Sequence, residues 1–160
     1  MQFTQSVSYP GTVDKVVAMY LTPAYLERRF GQFVVEGSST VSVEGERVSF
    51  AGTVRPELIP AAAARFVKSD LRVTFTEEWA TNEAGATSRT SVTVDGAPVS
   101  VEATSTLASA DAGCTREVSG NVSVRVPLLG GRIEKEAVTH LGRVVEREQA
   151  LAAQWLEEHR

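Results

Sequence analysis

The feature that most constrains this fold is a long one-sided helical pattern that follows a series of short strand-like segments. Between Ile133 and Trp155 apolar residues recur at helical spacing, and charged or polar residues fill the opposite side. The apolar stripe comprises Ile133, Ala137, Leu141, Val144, Val145, Leu151, Ala152 and Trp155. A helix of about 27 residues is roughly 40 Å long, which exceeds the length of a ten-residue strand. We therefore expect this helix to cover the apolar face of a whole sheet.

The segment "VPLLGGRIEK", at 126–135, joins the last strand-like stretch to this helix. We expect Gly130 and Gly131 to form a sharp turn before the helix, because residues without Cβ adopt the backbone conformations that such a turn requires.

Near the N-terminus the hydrophobic period changes from two to helical. Residues 3–9 alternate between apolar and polar, which predicts a half-buried strand. Two short helices should follow, the first capped by Thr12 and the second capped by Thr22 with Pro23 at its first position. Gly31 should end the second helix.

From residue 32 to residue 126 the hydrophobic period is two again. The turn sequences "EGE", "NEAG", "DGAP" and "ADAG" separate neighbouring apolar stretches, and they predict hairpins within a six-strand antiparallel meander. The stretch 55–66 interrupts the series with two prolines and an alanine-rich turn. We interpret it as a mobile connection or lid.

Composition limits the class of protein. A chain of 160 residues with 42% hydrophobic and 22% charged residues fits one globular domain, at 1–160. A net charge of −4 argues against nucleic acid and against an anionic membrane patch as partners. Cys114 is the only cysteine, which excludes an internal disulfide. With no export signal and no apolar run of membrane-spanning length, the expected location is cytoplasmic, without integral membrane association.

The order of strand, two helices, six-strand meander and long helix resembles the helix-grip fold of the START-like (SRPBCC) superfamily, which includes polyketide cyclases, birch-pollen-type allergens and lipid-transfer domains. The stretches "SYPGTVDKVVAMYLTPAYLERRF", "VPLLGGRIEK" and "WLEEHR" carry the resemblance. More closely, the chain looks like an actinobacterial branch of that superfamily, a domain of unknown function in which "P-x-x-G-G-x-I-E" also opens the helix. The resemblance implies an α+β domain with a curved antiparallel sheet of about seven strands wrapped around the C-terminal helix. It also implies a cavity between sheet and helix that holds an apolar small molecule.

Three charged residues occupy positions where the pattern predicts apolar side chains. Glu148 lies near the middle of the helix stripe, and Glu77 and Arg116 have inward parity on their strands. A carboxylate in such a place must be paired, hydrated or protonated. We hypothesise that the three form the polar end of an apolar pocket. The alternative is that each lies near a sheet edge or bulge, where its charge reaches solvent.

The candidate ligand-binding residues lie on the two apolar faces. They are Phe50, Phe75, Glu77, Trp79, Arg116, Leu141, Val144, Val145, Glu148 and Trp155. No residue is assigned a catalytic role, and the pattern predicts neither a cofactor nor a metal, since His140 and His159 lack ligand spacing.

Three functions remain open. The first is binding of a hydrophobic or amphipathic small molecule of the lipid, polyketide or isoprenoid class. The second is a cyclase or aromatase in which Glu148 or Glu77 performs acid/base chemistry, and a carboxyl with a pKa near neutrality would favour it. The third is a ligand-free module that binds partner proteins through the outer face of the sheet, which a fully packed interior would favour.

Overall fold

The computed structural model describes residues 1–67 and 69–160, and across them seven strands form one antiparallel sheet with four α-helices. The strands are β1 (Gln2–Tyr9), β2 (Thr40–Glu44), β3 (Arg47–Thr53), β4 (Arg72–Asn82), β5 (Gly85–Asp95), β6 (Val99–Ala110) and β7 (Gly113–Val124). The helices are α1 (Val13–Tyr20), α2 (Pro23–Phe30), α3 (Ala61–Ala64) and α4 (Gly130–Glu158). This α+β arrangement confirms the predicted fold class.

The sheet is the predicted meander, with β1 added as the edge strand beside β7. Its strand order is β1-β7-β6-β5-β4-β3-β2, so consecutive strands from β2 to β7 are neighbours. The four predicted turns fall between them. Across the sheet, Phe75 on β4 pairs with Val92 on β5, which pairs with Val101 on β6. The two-residue period therefore places the apolar side chains of successive strands on one inner face.

Local sequence explains the boundaries of α1 and α2. The backbone nitrogen of Lys15 donates to Oγ1 of Thr12 at 3.3 Å, which confirms the predicted cap of α1. Helix α2 begins at Pro23 and ends before Gly31, as predicted. Thr22 does not cap α2 through its side chain, because its hydroxyl donates instead to the carbonyl of Ala18 at 2.7 Å.

The predicted glycine turn before α4 is wrong. Gly130 and Gly131 are the first two residues of the helix, and the positive φ of 68° belongs to Leu128. A Cβ on Gly130 would lie 2.2 Å from the carbonyl oxygen of Val124. Glycine at this position therefore permits close contact between the start of α4 and the end of β7.

Helix α4 is buried at its ends and less buried in its middle. Its buried residues are Gly130, Ile133, Ala152, Trp155 and Leu156. Ala137 and Val144, predicted on the covered stripe, are exposed, Val144 by 37%. The prediction fails there because α4 packs mainly on β1 and β7 and leaves the rest of the sheet's width to other elements.

Helices α1 and α2 cover part of the inner face of the sheet. Helix α1 contacts β5 and β6, and α2 contacts β2. The expectation that α4 alone covers the sheet is therefore wrong. The stretch 55–66 contains a 3₁₀ turn at Pro56–Leu58 and the short helix α3, and its role as a lid stays a prediction.

No helix in the part of the chain that the structure describes is both long and apolar enough to cross a membrane. The cytoplasmic location stays a prediction.

Candidate ligand-binding site

A buried ion pair lies on the inner face of the sheet. Glu77 on β4 is 1% exposed and Arg116 on β7 is 4% exposed. Nη2 of Arg116 donates to Oε2 of Glu77 at 2.8 Å. Both side chains point inward, as their parity predicts, and the alternative in which they reach solvent at a sheet edge is wrong for both.

Arg116 reaches Glu77 across β6 and β5, which lie between their strands. Nε donates to Oγ of Ser105 at 2.9 Å, and Nη2 also contacts Oγ of Ser88 at 3.1 Å. The guanidinium carbon lies 4.8 Å from the centre of the Trp79 ring and 4.9 Å from that of Tyr20. The two small serines thus leave space for the long arginine side chain and accept hydrogen bonds from its Nε and Nη2 groups.

Glu77 is surrounded by hydrogen-bond donors. Oγ1 of Thr90 donates to Oε2 at 2.7 Å, and Nε1 of Trp79 donates to Oε1 at 3.0 Å. Burial opposes the charged carboxylate, but the nearby Arg116 and Arg29 outweigh burial and lower the pKa of Glu77 below its ordinary value. A carboxylate with a lowered pKa binds a proton weakly and is therefore a poor general base. This result argues against Glu77 as the acid/base group of a cyclase.

Arg29, on α2, connects the sheet pair to helix α4. Its Nη2 lies 3.0 Å from Oε1 of Glu148, and its Nη1 lies 3.9 Å from Oε1 of Glu77. The hydroxyl of Tyr20 donates to the same oxygen of Glu148 at 2.6 Å. The hypothesised trio of Glu77, Arg116 and Glu148 therefore does meet in one cluster, through Arg29 and Tyr20.

The guanidinium of Arg29 is buried with two of its donors unused. Its side chain is 10% exposed, and among the described residues neither Nε nor Nη1 has a hydrogen-bond partner. Its carbon lies 4.6 Å from the ring centre of Phe30, 4.9 Å from Tyr20 and 5.1 Å from Phe75. Burial opposes its charge, but the carboxylates of Glu148 and Glu77 contribute to a pKa above its ordinary value. Unpartnered buried donors are costly, so this group favours an added acceptor.

A small cavity adjoins Arg29 between α2 and α4. We call it the Arg29 crevice, and it is lined by Arg29, Phe30, Gln32, Phe33, Val144, Arg147, Glu148 and Leu151. Its volume of about 30 Å³ is enough for one or two water molecules. Apolar side chains pack next to the crevice, where the rings of Phe30 and Phe75 lie 4.5 Å apart and half-buried Val92 belongs to the same cluster.

The remaining predicted residues lie outside this crevice. Phe50, Trp79 and Trp155 are buried in the packed core, where the Trp155 ring lies 5.4 Å from that of Tyr25. Val145 packs against the core cluster of β1 and α1, and Leu141 is half-buried one turn before Val144 and Val145. The ligand-binding role of all ten candidates stays a prediction.

Residue patterns alone missed several members of the cluster: Tyr20, Arg29, Ser88, Thr90 and Ser105. The three strand residues have inward parity, which is a usable signal for a polar interior. Arg29 lies one helical turn after buried Tyr25 and so shares its inward side. That spacing indicates an inward side chain for Arg29, but it does not identify Glu148 as its partner.

A larger groove, of about 450 Å³, lies between α4 and the ends of β1 and β7. Small side chains such as Ala112, Ala150 and Ala153 line much of it, and it opens to solvent. Among the described residues that line this groove, no charged side chain is buried. We place the candidate site at the Arg29 crevice, because buried charge and apolar side chains meet there.

Within the described ranges, no group of three or more His, Cys, Asp or Glu side chains is placed to hold a metal ion.

A family described as "Protein of unknown function (DUF2505)" matches residues 4–156 of the chain. The chain belongs to this family. Uncharacterized proteins of Mycobacterium tuberculosis and Mycobacterium bovis are 25% identical to it over 96% of this chain and 95% of theirs. The mycobacterial relatives of this DUF2505 member agree with the actinobacterial branch that the resemblance implied.

Solved structures confirm the START-like fold of this DUF2505 protein. A START superfamily protein from Mycobacterium smegmatis superimposes with a TM-score of 0.53 at 11% identity, over 97% of this chain and 98% of that one. Norcoclaurine synthase from Thalictrum flavum, solved with dopamine and hydroxybenzaldehyde, superimposes with a TM-score of 0.58 at 13% identity, over 100% of this chain and 87% of that one. A protein from Rhodobacter sphaeroides superimposes with a TM-score of 0.62 at 13% identity, over 99% of this chain and 93% of that one.

Proposed function

We propose that this protein binds a hydrophobic or amphipathic small molecule, of the lipid, polyketide or isoprenoid class, in the Arg29 crevice and along the adjoining apolar surface. The polar group of the ligand contacts Arg29. Its apolar body lies between the inner face of the sheet and the middle of α4.

The observation that carries this proposal is the Arg29 guanidinium. Three aromatic rings hold it in place, and two of its nitrogen donors have no partner among the described residues. An acceptor on a ligand would satisfy one of these donors, and a hydrogen bond to a charged group contributes about 1.5–3 kcal/mol.

The apolar surroundings support the same proposal. Phe30 and Phe33 on one side and Val144 and Leu151 on the other border the crevice. Because its volume of about 30 Å³ is below that of typical ligand sites, at roughly 300 Å³ or more, a ligand enters only if side chains move. Val144 is 37% exposed and the middle of α4 is not buried, so movement there breaks few contacts.

Two measurements test the proposal. Mass spectrometry of organic molecules that co-purify with the protein should detect a hydrophobic compound in stoichiometric amount. The neutral fluorophore N-phenyl-1-naphthylamine should bind the wild-type protein, and Val144→Arg should weaken its binding by about fivefold or more, since that is a loss of about 1 kcal/mol.

Thr139→Arg is the matched control, because it introduces the same side chain at an exposed position on the other side of α4. It should leave fluorophore binding unchanged. Repeated recovery of protein without any bound compound, together with no fluorophore binding by the wild type, would overturn the proposal and would favour the ligand-free interaction module.

A further inference from the structure

The charges around Arg29 are already balanced. Arg29 and Arg116 supply two positive charges, and Glu77 and Glu148 supply two negative charges, within the chain of contacts described above. Arg147 also lines the crevice, but it is exposed and its Nη1 donates to Oε1 of Gln32 at 2.6 Å. The buried part of the site therefore has no net charge.

A buried site of this kind treats charged and uncharged ligand groups differently. A carboxylate placed against Arg29 would bring an unbalanced negative charge into a low-dielectric interior, close to Glu148. An uncharged oxygen would accept a hydrogen bond from Arg29 without adding charge.

The unused groups of Arg29 are donors alone, because a guanidinium has no acceptor. The ligand must therefore present an acceptor to satisfy them. The three rings around the guanidinium limit its rotation, so its donors have fixed directions. A carbonyl oxygen, with two lone pairs in a plane, suits such fixed donors.

We infer, on the basis of the proposed function, that the ligand of this crevice contacts Arg29 with an uncharged acceptor oxygen, a ketone, aldehyde, ester or amide carbonyl, and is not a free carboxylic acid.

Three naphthalene probes of similar size test this inference: 2-acetonaphthone, 2-naphthoate and 2-ethylnaphthalene. Binding is measured at pH 7.5 by titration calorimetry or by ligand-observed NMR. We expect the ketone to bind about tenfold or more tightly than the carboxylate, and about tenfold more tightly than the hydrocarbon, which corresponds to about 1.4 kcal/mol.

Arg29→Met keeps a long, flexible side chain but removes every hydrogen-bond donor, so the advantage of the ketone over the hydrocarbon should disappear. Arg28→Met is the matched control, because Arg28 is the preceding residue of α2 and lies exposed, paired with Glu158 at 3.0 Å. It should leave the order of the three affinities unchanged. Circular dichroism verifies that both variants fold. Arg29→Lys, which keeps the positive charge beside Glu148 but lacks the planar arrangement of donors, provides a second variant if the methionine variant unfolds, and in it the ketone advantage should fall.

Equal or tighter binding of the naphthoate, or a ketone advantage that persists in Arg29→Met, would overturn the inference and leave the proposed function standing. If none of the probes and no neutral fluorophore binds the wild-type protein, the proposed function fails and the inference fails with it.

Discussion

Arg116 on β7 donates from Nη2 to Oε2 of Glu77 on β4 at 2.8 Å, although two strands separate them in the sheet. The pair is buried and supported by Ser88, Ser105 and Thr90. A charged pair removed from water stabilises a fold only if its remaining donors and acceptors are satisfied. Both oxygens of Glu77 and the Nε and Nη2 groups of Arg116 have hydrogen-bond partners, whereas Nε and Nη1 of Arg29 have none among the described residues.

Glu77→Gln should destabilise the protein strongly. The substitution preserves shape but removes the negative charge that faces Arg116 and Arg29, which leaves Arg116 without its carboxylate partner and the cluster with one unbalanced positive charge. We expect a loss of about 3 kcal/mol in the free energy of unfolding, measured in urea. Glu78→Gln, on the exposed side of the same strand, should cost under about 0.5 kcal/mol. Equal effects of the two substitutions would contradict the described burial of Glu77.

The stability of the wild-type protein should fall in acid through Glu77. Its pKa is lowered in the folded state, whereas an unfolded glutamate titrates near about 4.3. The stabilisation from ionised Glu77 is therefore complete above the unfolded pKa and is lost as the pH falls through the folded pKa. Thermal unfolding at several pH values should give a constant gap between wild type and Glu77→Gln from about pH 6 to 8. The difference in melting temperature between the two proteins should narrow in acid. A difference that widens there would contradict the lowered pKa of Glu77.

The hydroxyl groups of Tyr20 and Tyr25 should contribute differently to the stability of the fold. The Tyr20 hydroxyl donates to Glu148 at 2.6 Å, so Tyr20→Phe should cost about 1–2 kcal/mol in stability. The buried hydroxyl of Tyr25 has no partner among the described residues, so Tyr25→Phe should be neutral or stabilising by up to about 1 kcal/mol. Urea unfolding of both variants measures the difference. A greater loss from Tyr25→Phe than from Tyr20→Phe would mean that Tyr25 has a polar partner.

Two glycines offer a matched test of packing. A Cβ on Gly142, within α4, would meet no atom within 4 Å. Gly142→Ala should therefore stabilise the protein by about 0.5–1 kcal/mol, because alanine favours the helix. A Cβ on Gly52 would lie 2.7 Å from Cγ1 of Val34, so Gly52→Ala should destabilise by about 1–3 kcal/mol. Calorimetric melting temperatures should shift in opposite directions, and a rise for Gly52→Ala would contradict the described packing.

Strand positions were the most predictable part of this chain. The period of two identifies the inner face, and it correctly points Glu77 and Arg116 inward because a strand offers only two sides. The turn sequences identify the hairpins for a similar reason, since few residues adopt the backbone conformations that tight turns require.

Helix packing was less predictable. The stripe on α4 is wide enough for several orientations, so it did not reveal that Val144 is exposed or that α1 and α2 share the inner face. Arg29 was missed because its partner Glu148 is distant in sequence, and helical spacing alone does not say which helix faces which. The close contact of Gly130 with Val124 is likewise a tertiary feature without a local pattern.

The most direct test of the account is the NMR signal of the Nε–H group of Arg29 in the wild-type protein during titration with 2-acetonaphthone. Because Nε has no partner in the described structure, a carbonyl bound in the crevice should shift this signal in a saturable way. The backbone signals of Val144 and Leu151 should shift with the same affinity. An Arg29 Nε–H signal that stays unchanged while the ketone binds would contradict the account.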